Sequence, residues 1–265
     1  MEQIFKNKNE WAMILGGSSG LGLASAKKLA SQGMNICIIH RDRKSDMPRF
    51  AEDINSMMSN GVEVVTYNID ATRADKRAES VANLLFKIQP LGSIKTIVFS
   101  IARGNLKPMQ SEDNQVLKSD DFRITIDAMA ICLYDWVREV FKTKLFCDDA
   151  RVISFTSEGN QRAWKNYAAV SAAKAALEAI SRSIALEFAP FGIRSNCIQA
   201  GVTETPSFHM IPGHEDIRNH TILRNPYKQL TTPENVADVV FLLCTDEASW
   251  INGAIIPVDG GERIV

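Results

Sequence analysis

The stretch Trp11-Ala12-Met13-Ile14-Leu15-Gly16-Gly17-Ser18-Ser19-Gly20-Leu21-Gly22 decides the fold. Its first five residues are an apolar run of strand length. Glycines follow at 16, 20 and 22 in a Gly-x3-Gly-x-Gly pattern, and residues 23–31 then have helical character. An uninterrupted apolar strand is buried on both faces, as in a parallel sheet. Gly16 supplies the backbone angles of a tight turn, while Gly20 and Gly22 let backbone and ligand approach closely. The helix that follows aims its N-terminal amides at a pyrophosphate. Gly16, Ser18, Ser19, Gly20, Leu21 and Gly22 are therefore candidate cofactor-binding residues of a dinucleotide site. The alternative is a glycine-rich turn without a ligand, which the strand before and the helix after disfavour.

Working outward, the same rhythm repeats. Strand-like runs at 11–15, 35–39, 62–67, 94–99, 152–155, 193–198 and 255–258 alternate with helical patterns. Phe122, Ile126, Met129, Leu133, Trp136 and Val140 recur at steps of three and four, as do Val170, Ala173, Leu177, Ile180, Ile184 and Phe188. The expected architecture is α/β: a single-domain Rossmann fold over 1–265, a doubly wound seven-stranded parallel sheet with helices on both faces. One stretch, 201–232, breaks the rhythm. It is long, polar and interrupted by Pro206, Pro212, Gly213 and Pro226, and reads as an irregular substrate lid.

Composition narrows the function. At 265 residues, with 45% hydrophobic and 23% charged residues, the chain matches an ordinary globular enzyme. Its net charge of −1 leaves no footprint for nucleic acid or an anionic membrane surface. No apolar run approaches the roughly 18 residues of a membrane span. Five scattered cysteines without CxxC spacing suit a reducing compartment, so a cytoplasmic location is expected. His209, His214 and His220 share no regular face and lack a completing cysteine or carboxylate, so no metal site is expected.

Cofactor choice is written at the second strand's tip, His40-Arg41-Asp42-Arg43-Lys44. NAD specificity favours a carboxylate there, on the ribose 2′-hydroxyl. His40 and Arg41 stand in its place, and a guanidinium suits a 2′-phosphate. The expectation is NADPH rather than NADH, with Arg41 as the main contact; Asp42 is the residue that argues the other way. Asp70, after the third strand, either reaches the adenine or caps the helix expected from Thr72.

These features, with Ala102 after the fourth strand, Ser157 after the fifth, Lys174 on the next helix and the closing Val258-Asp259-Gly260-Gly261, resemble the short-chain dehydrogenases/reductases. The resemblance covers essentially the whole chain. Most members carry Tyr-x3-Lys, but Val170 stands four residues before Lys174, and the nearest upstream tyrosine is Tyr167. The resulting Tyr-x6-Lys is similar to bacterial enoyl-acyl-carrier-protein reductases, as are Ser100-Ile101-Ala102, Phe122-Arg123-Ile124-x-x-Asp127 and Ala200-Gly201-x-x-x-Thr205. Ordinary ketoreductases place a catalytic asparagine at or near Asp127. Many enoyl reductases have a second tyrosine where Ser157 stands here, although some NADPH-using ones have serine. Ala248-Ser249-Trp250-Ile251-Asn252-Gly253 is similar to 2,4-dienoyl-CoA reductases, which place their tyrosine differently.

The resemblance implies reduction of the carbon–carbon double bond of an enoyl thioester, carried by acyl carrier protein or coenzyme A. Tyr167 would stabilise the enolate, Lys174 would hold the nicotinamide ribose, and Ser157 would be a third catalytic residue. Ser100, Ile101, Ala102, Ala200, Gly201, Thr203 and Thr205 join the cofactor set. Residues 253–265 resemble the family's subunit-contact region, implying a homotetramer. Read from the residues alone, alternatives stay open. Tyr167 can be a core residue with its hydroxyl satisfied locally, Lys174 a solvated helix residue, and Ser157 the cap of a strand end. Carbonyl or alcohol chemistry on the same fold and a non-catalytic cofactor-binding regulator are the competing functions.

Overall fold

A computed structural model describes residues 3–265. The strands are β1 (Glu10–Leu15), β2 (Asn35–His40), β3 (Val64–Asn68), β4 (Ser93–Phe99), β5 (Phe146–Ser157), β6 (Ile193–Ala200) and β7 (Ile255–Val258). They form one sheet in the order β3-β2-β1-β4-β5-β6-β7, every neighbouring pair parallel. The helices are α1 (Gly20–Ser31), α2 (Met47–Met58), α3 (Ala74–Ile88), α4 (Ser119–Ile126), α5 (Cys132–Lys142), α6 (Ala168–Glu187), α7 (Pro206–His209), α8 (His214–Arg224) and α9 (Pro233–Cys244). This is the doubly wound seven-stranded sheet that the alternating pattern predicts.

Successive strand residues point to opposite faces, and each face has its own core. Trp11, Met13 and Leu15 pack with Val81 and Leu84 of α3, Trp136 and Val140 of α5, and Leu177 and Ile184 of α6. Ala12 and Ile14 pack with Leu29 of α1, Phe50 of α2, and Val236 and Val240 of α9. Each fully buried Leu, Ile or Val contributes about 1.5–3 kcal/mol. β1 is therefore apolar at every position from Trp11 to Leu15 because both of its faces are covered.

Two sequence expectations are corrected. The stripe from Phe122 to Val140 is not one regular helix: a π-helical turn, Asp127–Ile131, separates α4 from α5, and the Cys132 amide donates to the Asp127 carbonyl five residues back. The interval 201–232 is not irregular either, since it contains α7 and the three-turn α8. Gly213, in a left-handed conformation, and a Pro at the start of α7 delimit these short helices, so the breakers read from the sequence act between helices. A bridge between Thr203 and Thr231 ties the two ends of this interval together.

All strand carboxyl ends lie on one edge, and β1 sits between β2 and β4, where the winding reverses. The Gly16 amide donates to the Ile39 carbonyl and the Ser100 amide to the Leu15 carbonyl, so the chains leaving β1, β2 and β4 start from a common line. A Cβ on Gly22 would overlap the Gly16 carbonyl oxygen. Gly22→Ala is expected to cost about 1–3 kcal/mol through this backbone collision, lowering Tm by several degrees. A thermal melt with Tm unchanged would refute so tight a turn.

Candidate active site

The glycine turn is a cradle that side chains would fill. A Cβ on Gly16, whose φ is +84°, would lie 2.8 Å from the Ser100 carbonyl oxygen, and one on Gly20 would lie 3.2 Å from the Thr205 methyl. Ser19 is the N-cap of α1 in an extended conformation, yet its side chain caps no amide and the first turn holds no acidic residue. The N-terminal amides and positive dipole end of α1 thus face the turn without a carboxylate. These features fit a dinucleotide pyrophosphate. Thr205, which caps α7 through its hydroxyl, brings the first residues of the 201–232 interval against this cradle.

On the β2–β3 side, His40 is turned inward. It is 3% exposed, stacks on Phe50 at 4.8 Å and places Nδ1 2.6 Å from the Asp42 carboxylate. The carboxylate that argued for NAD is therefore engaged by a buried ring, and Arg41 stays exposed at the tip. Arg41 donates to Asp70 Oδ2 at 2.9 Å. Arg103, from the loop after β4, donates to the same oxygen at 2.9 Å. Sequence reasoning missed Arg103, because a basic residue in an exposed loop carries no periodic signal; its place directly after Ser100-Ile101-Ala102 was the available one.

Asp70 is not a helix cap. The residue capping α3 is Arg73, and Asp70 Oδ1 instead accepts from the amide and hydroxyl of Thr72. Partial burial raises the Asp70 pKa, but the Thr72 hydrogen bonds and then Arg103 and Arg41 outweigh it, holding the carboxyl down at about 2.

The β5–α6 side brings Ser157, Tyr167 and Lys174 together. Tyr167 is the N-cap residue of α6 and is 8% exposed, its ring tilted on Trp164 at 5.4 Å. Around it lies a small apolar cluster of Ala128, Met129, Val170 and Ala173, joined by Leu106 and Ile211. Burial pushes the phenol above its ordinary value, opposed by the Ser157 hydroxyl. Ser157 ends β5, and its Oγ accepts from the Gly159 amide at 3.1 Å while its O–H remains a donor. Lys174 is buried, not solvated: Nζ donates to the Phe155 carbonyl of β5 at 2.6 Å. Burial lowers its pKa to about 8, against the opposing influence of Cys197 and Glu178.

The remaining predicted residues surround this edge. Ser100 and Ile101 abut Gly16, and Ala102 is exposed beside Arg103. Ala200 pairs with Ser157 across β5 and β6, Gly201 bonds back to Val258, and the Thr203 hydroxyl donates to the Gly201 carbonyl. Of the apolar residues in the 201–232 interval, Ile211 packs on the Tyr167 cluster, Phe208 is buried beside His209 and His214, and Met210 is exposed. The end of α8 is anchored by Arg224, which pairs with Glu158 at 3.0 Å and Glu262 at 2.9 Å. Among the described residues, no group of three or more His, Cys, Asp or Glu is arranged to hold a metal ion.

Known proteins are similar to this chain in sequence and fold. The family model described as enoyl-(acyl carrier protein) reductase matches residues 16–262. Cis-4-hydroxycyclohexanecarboxylate dehydrogenase of Sinomonas cyclohexanicum is 28% identical over 256 residues, covering 96% of each chain. The NADH-dependent enoyl-acyl-carrier-protein reductase of Aquifex aeolicus is 30% identical over 190 residues, 71% of this chain and 69% of that one. A crystal structure of the Aquifex enoyl reductase superposes with a TM-score of 0.83 at 24% identity, covering 99% of this chain and 98% of that one, a likeness of fold.

The Asp70 carboxyl lies below its ordinary value of 3.8, so it adds stability that is full above about 4 and lost as pH falls towards 2. Asp70→Asn is expected to destabilise by on the order of 1–2 kcal/mol at neutral pH. Denaturation at a series of pH values should show the gap to wild type shrinking in that acid window. A gap independent of pH contradicts the assignment.

Proposed function

The chain belongs to the short-chain dehydrogenase/reductase family and is an oxidoreductase of it; from this we propose that it reduces the carbon–carbon double bond of an enoyl thioester with NADPH, the acyl group being carried on acyl carrier protein or coenzyme A. One observation carries the reading: a buried phenol at the head of α6, beside Ser157 and walled by apolar side chains, seven residues before a buried ammonium. An apolar wall suits an acyl chain. It also strengthens any hydrogen bond made inside it.

The glycine turn and the N-terminus of α1 would hold the pyrophosphate, Arg41 and Arg103 the 2′-phosphate, and Lys174 the nicotinamide ribose. NADPH held there would supply a hydride for the β-carbon, and the α-carbon would take its proton from solvent. Reduction pushes negative charge onto the thioester oxygen, where Tyr167 donates its O–H and Ser157 offers a second donor. A phenol is protonated at neutral pH and so is a donor, and burial here moves it further in that direction. The Lys174 charge favours the developing enolate. Interval 201–232, with Ile211 on the Tyr167 cluster, serves as the lid that closes over the acyl group. In this reading the enzyme is a cytoplasmic homotetramer.

A second reading, carbonyl or alcohol chemistry, is favoured by the Sinomonas relative, whose name records an alcohol substrate and which matches along its whole length. NADPH consumption with a crotonyl thioester beside an acetoacetyl thioester separates the two. Faster turnover of the crotonyl compound is expected, and preference for the acetoacetyl compound overturns the first reading. Tyr167→Phe is expected to lower kcat by about 100-fold or more with NADPH binding near normal, since a single oxyanion donor is worth that much. Unchanged turnover removes Tyr167 from the mechanism.

The Aquifex relative is named for NADH, so cofactor choice needs its own measurement. Arg41→Ala and Arg103→Ala are each expected to raise KM for NADPH by about 10-fold or more, the value of a charge-assisted hydrogen bond, and to leave NADH nearly unaffected. Equal losses for both cofactors contradict the 2′-phosphate assignment.

A further inference from the structure

Glu178 is a buried carboxylate to which the chemistry above gives no task. It lies one turn beyond Lys174 on α6 and is 7% exposed. Its Oε1 accepts from the Thr156 hydroxyl at 2.6 Å and from the Asn160 amide at 2.5 Å. Both partners are neutral, and among the described residues Glu178 forms no ion pair. Burying a carboxylate that no cation touches is costly, so such a group is retained for what it holds and for the charge it presents at longer range.

What it holds is the segment that carries Ser157. Thr156 precedes Ser157 and Asn160 follows it by three residues, so one oxygen grips both flanks. Between them, Gly159 donates to Ser157 Oγ and lies so close to Tyr167 that a Cβ there would be 2.6 Å from the ring. Segment 156–160 is thus the wall on which the Tyr167 ring rests. Of the two cations one turn from Glu178 along α6, Arg182 is exposed and Lys174 is buried.

We infer that Glu178 is the positioning residue of this active site: its carboxylate clamps Thr156 and Asn160 on either side of Ser157 and is the counter-charge of the Lys174 ammonium one turn earlier on α6. The inference rests on the reading in which Ser157, Tyr167 and Lys174 act on the substrate. The other titratable groups around Lys174 are few. Tyr167 stands at the start of α6 and Cys197 on β6. Glu158 is paired with Arg162 and Arg224, and Asp127, on the π-helical turn packed against α6, is exposed.

The test is the steady-state pH profile of NADPH-driven reduction over roughly pH 6 to 10, the range in which such a lysine titrates, for wild type, Glu178→Gln and Glu178→Ala. Glutamine keeps the size and the accepting oxygen and removes only the charge. Glu178→Gln is expected to move the alkaline limb of kcat downward by on the order of one pH unit, because Lys174 then loses its proton more readily. Glu178→Ala, which also frees both flanks of Ser157, is expected to lower kcat by about tenfold or more below that limb. If alanine prevents folding, the near-isosteric glutamine variant, its fold checked by thermal melt, still decides through its limb. A wild type active on a thioester with the Glu178→Gln limb unmoved or moved upward overturns this role and leaves the enzyme reading standing. A wild type inactive on both crotonyl and acetoacetyl thioesters overturns the reading and the role together.

Discussion

Seven strands that all run the same way must end on the same edge of the sheet, and this constraint governs everything else in the molecule. At that edge the chain leaves the sheet through six connections, after β1 to β6. The tightest turn, after β1, is made of glycines because Gly16 and Gly22 meet backbone to backbone and Gly16 also meets the Ser100 carbonyl. The loops after β2, β3 and β4 contribute Arg41, Asp70 and Arg103, which converge on a single carboxylate oxygen. Those after β5 and β6 contribute Ser157 and the residues from Ala200 to Thr205. A polar edge on an otherwise apolar sheet is where a parallel fold binds its ligands.

The two sides of that edge differ in physical character. The β2–β3 side is open, with exposed guanidiniums around an acid whose carboxyl stays ionised. That environment suits a charged, solvated group. The β5–α6 side is apolar, and its few polar groups lie together: a buried phenol, a buried ammonium, a buried carboxylate and a half-buried serine. In such surroundings neutral forms are favoured. The phenol keeps its proton more firmly, while the ammonium loses it more easily and depends on the Phe155 carbonyl and on Glu178. The edge thus has a wet half and a dry half, which in the proposed reading would receive the cofactor phosphates and the acyl group respectively.

Several site residues were legible in the chain and others were not, for identifiable reasons. The glycine turn has a fixed local spacing. Tyr167 and Lys174 have one too, and the small residues around Lys174 indicated the close neighbour it has in β5. A place at a strand tip predicts a ligand contact for His40, but a partner two residues on, Asp42, draws it inward against Phe50. Asp70 was read as a possible cap because it precedes a helix; an Asx turn onto Thr72 and two arginines from separate loops occupy it instead. Arg103 meets Asp70 across 33 residues, and Glu178 meets Asn160 and Thr156 across 18 and 22. Pattern reading does not reach across such distances.

By itself, then, the sequence determined the parallel α/β fold, the strand order's starting turn and the positions of the tyrosine and lysine, because each is set by apolar periodicity or by contacts within a few residues. Only the tertiary structure decided which way His40 faces, which acid the arginines share, that α8 forms within a stretch punctuated by proline and glycine, and that a π-helical turn interrupts the α4–α5 stripe. These depend on side chains from different strands meeting at one edge. Their energies come from burial and charge in that assembled space, where distance along the chain has no bearing.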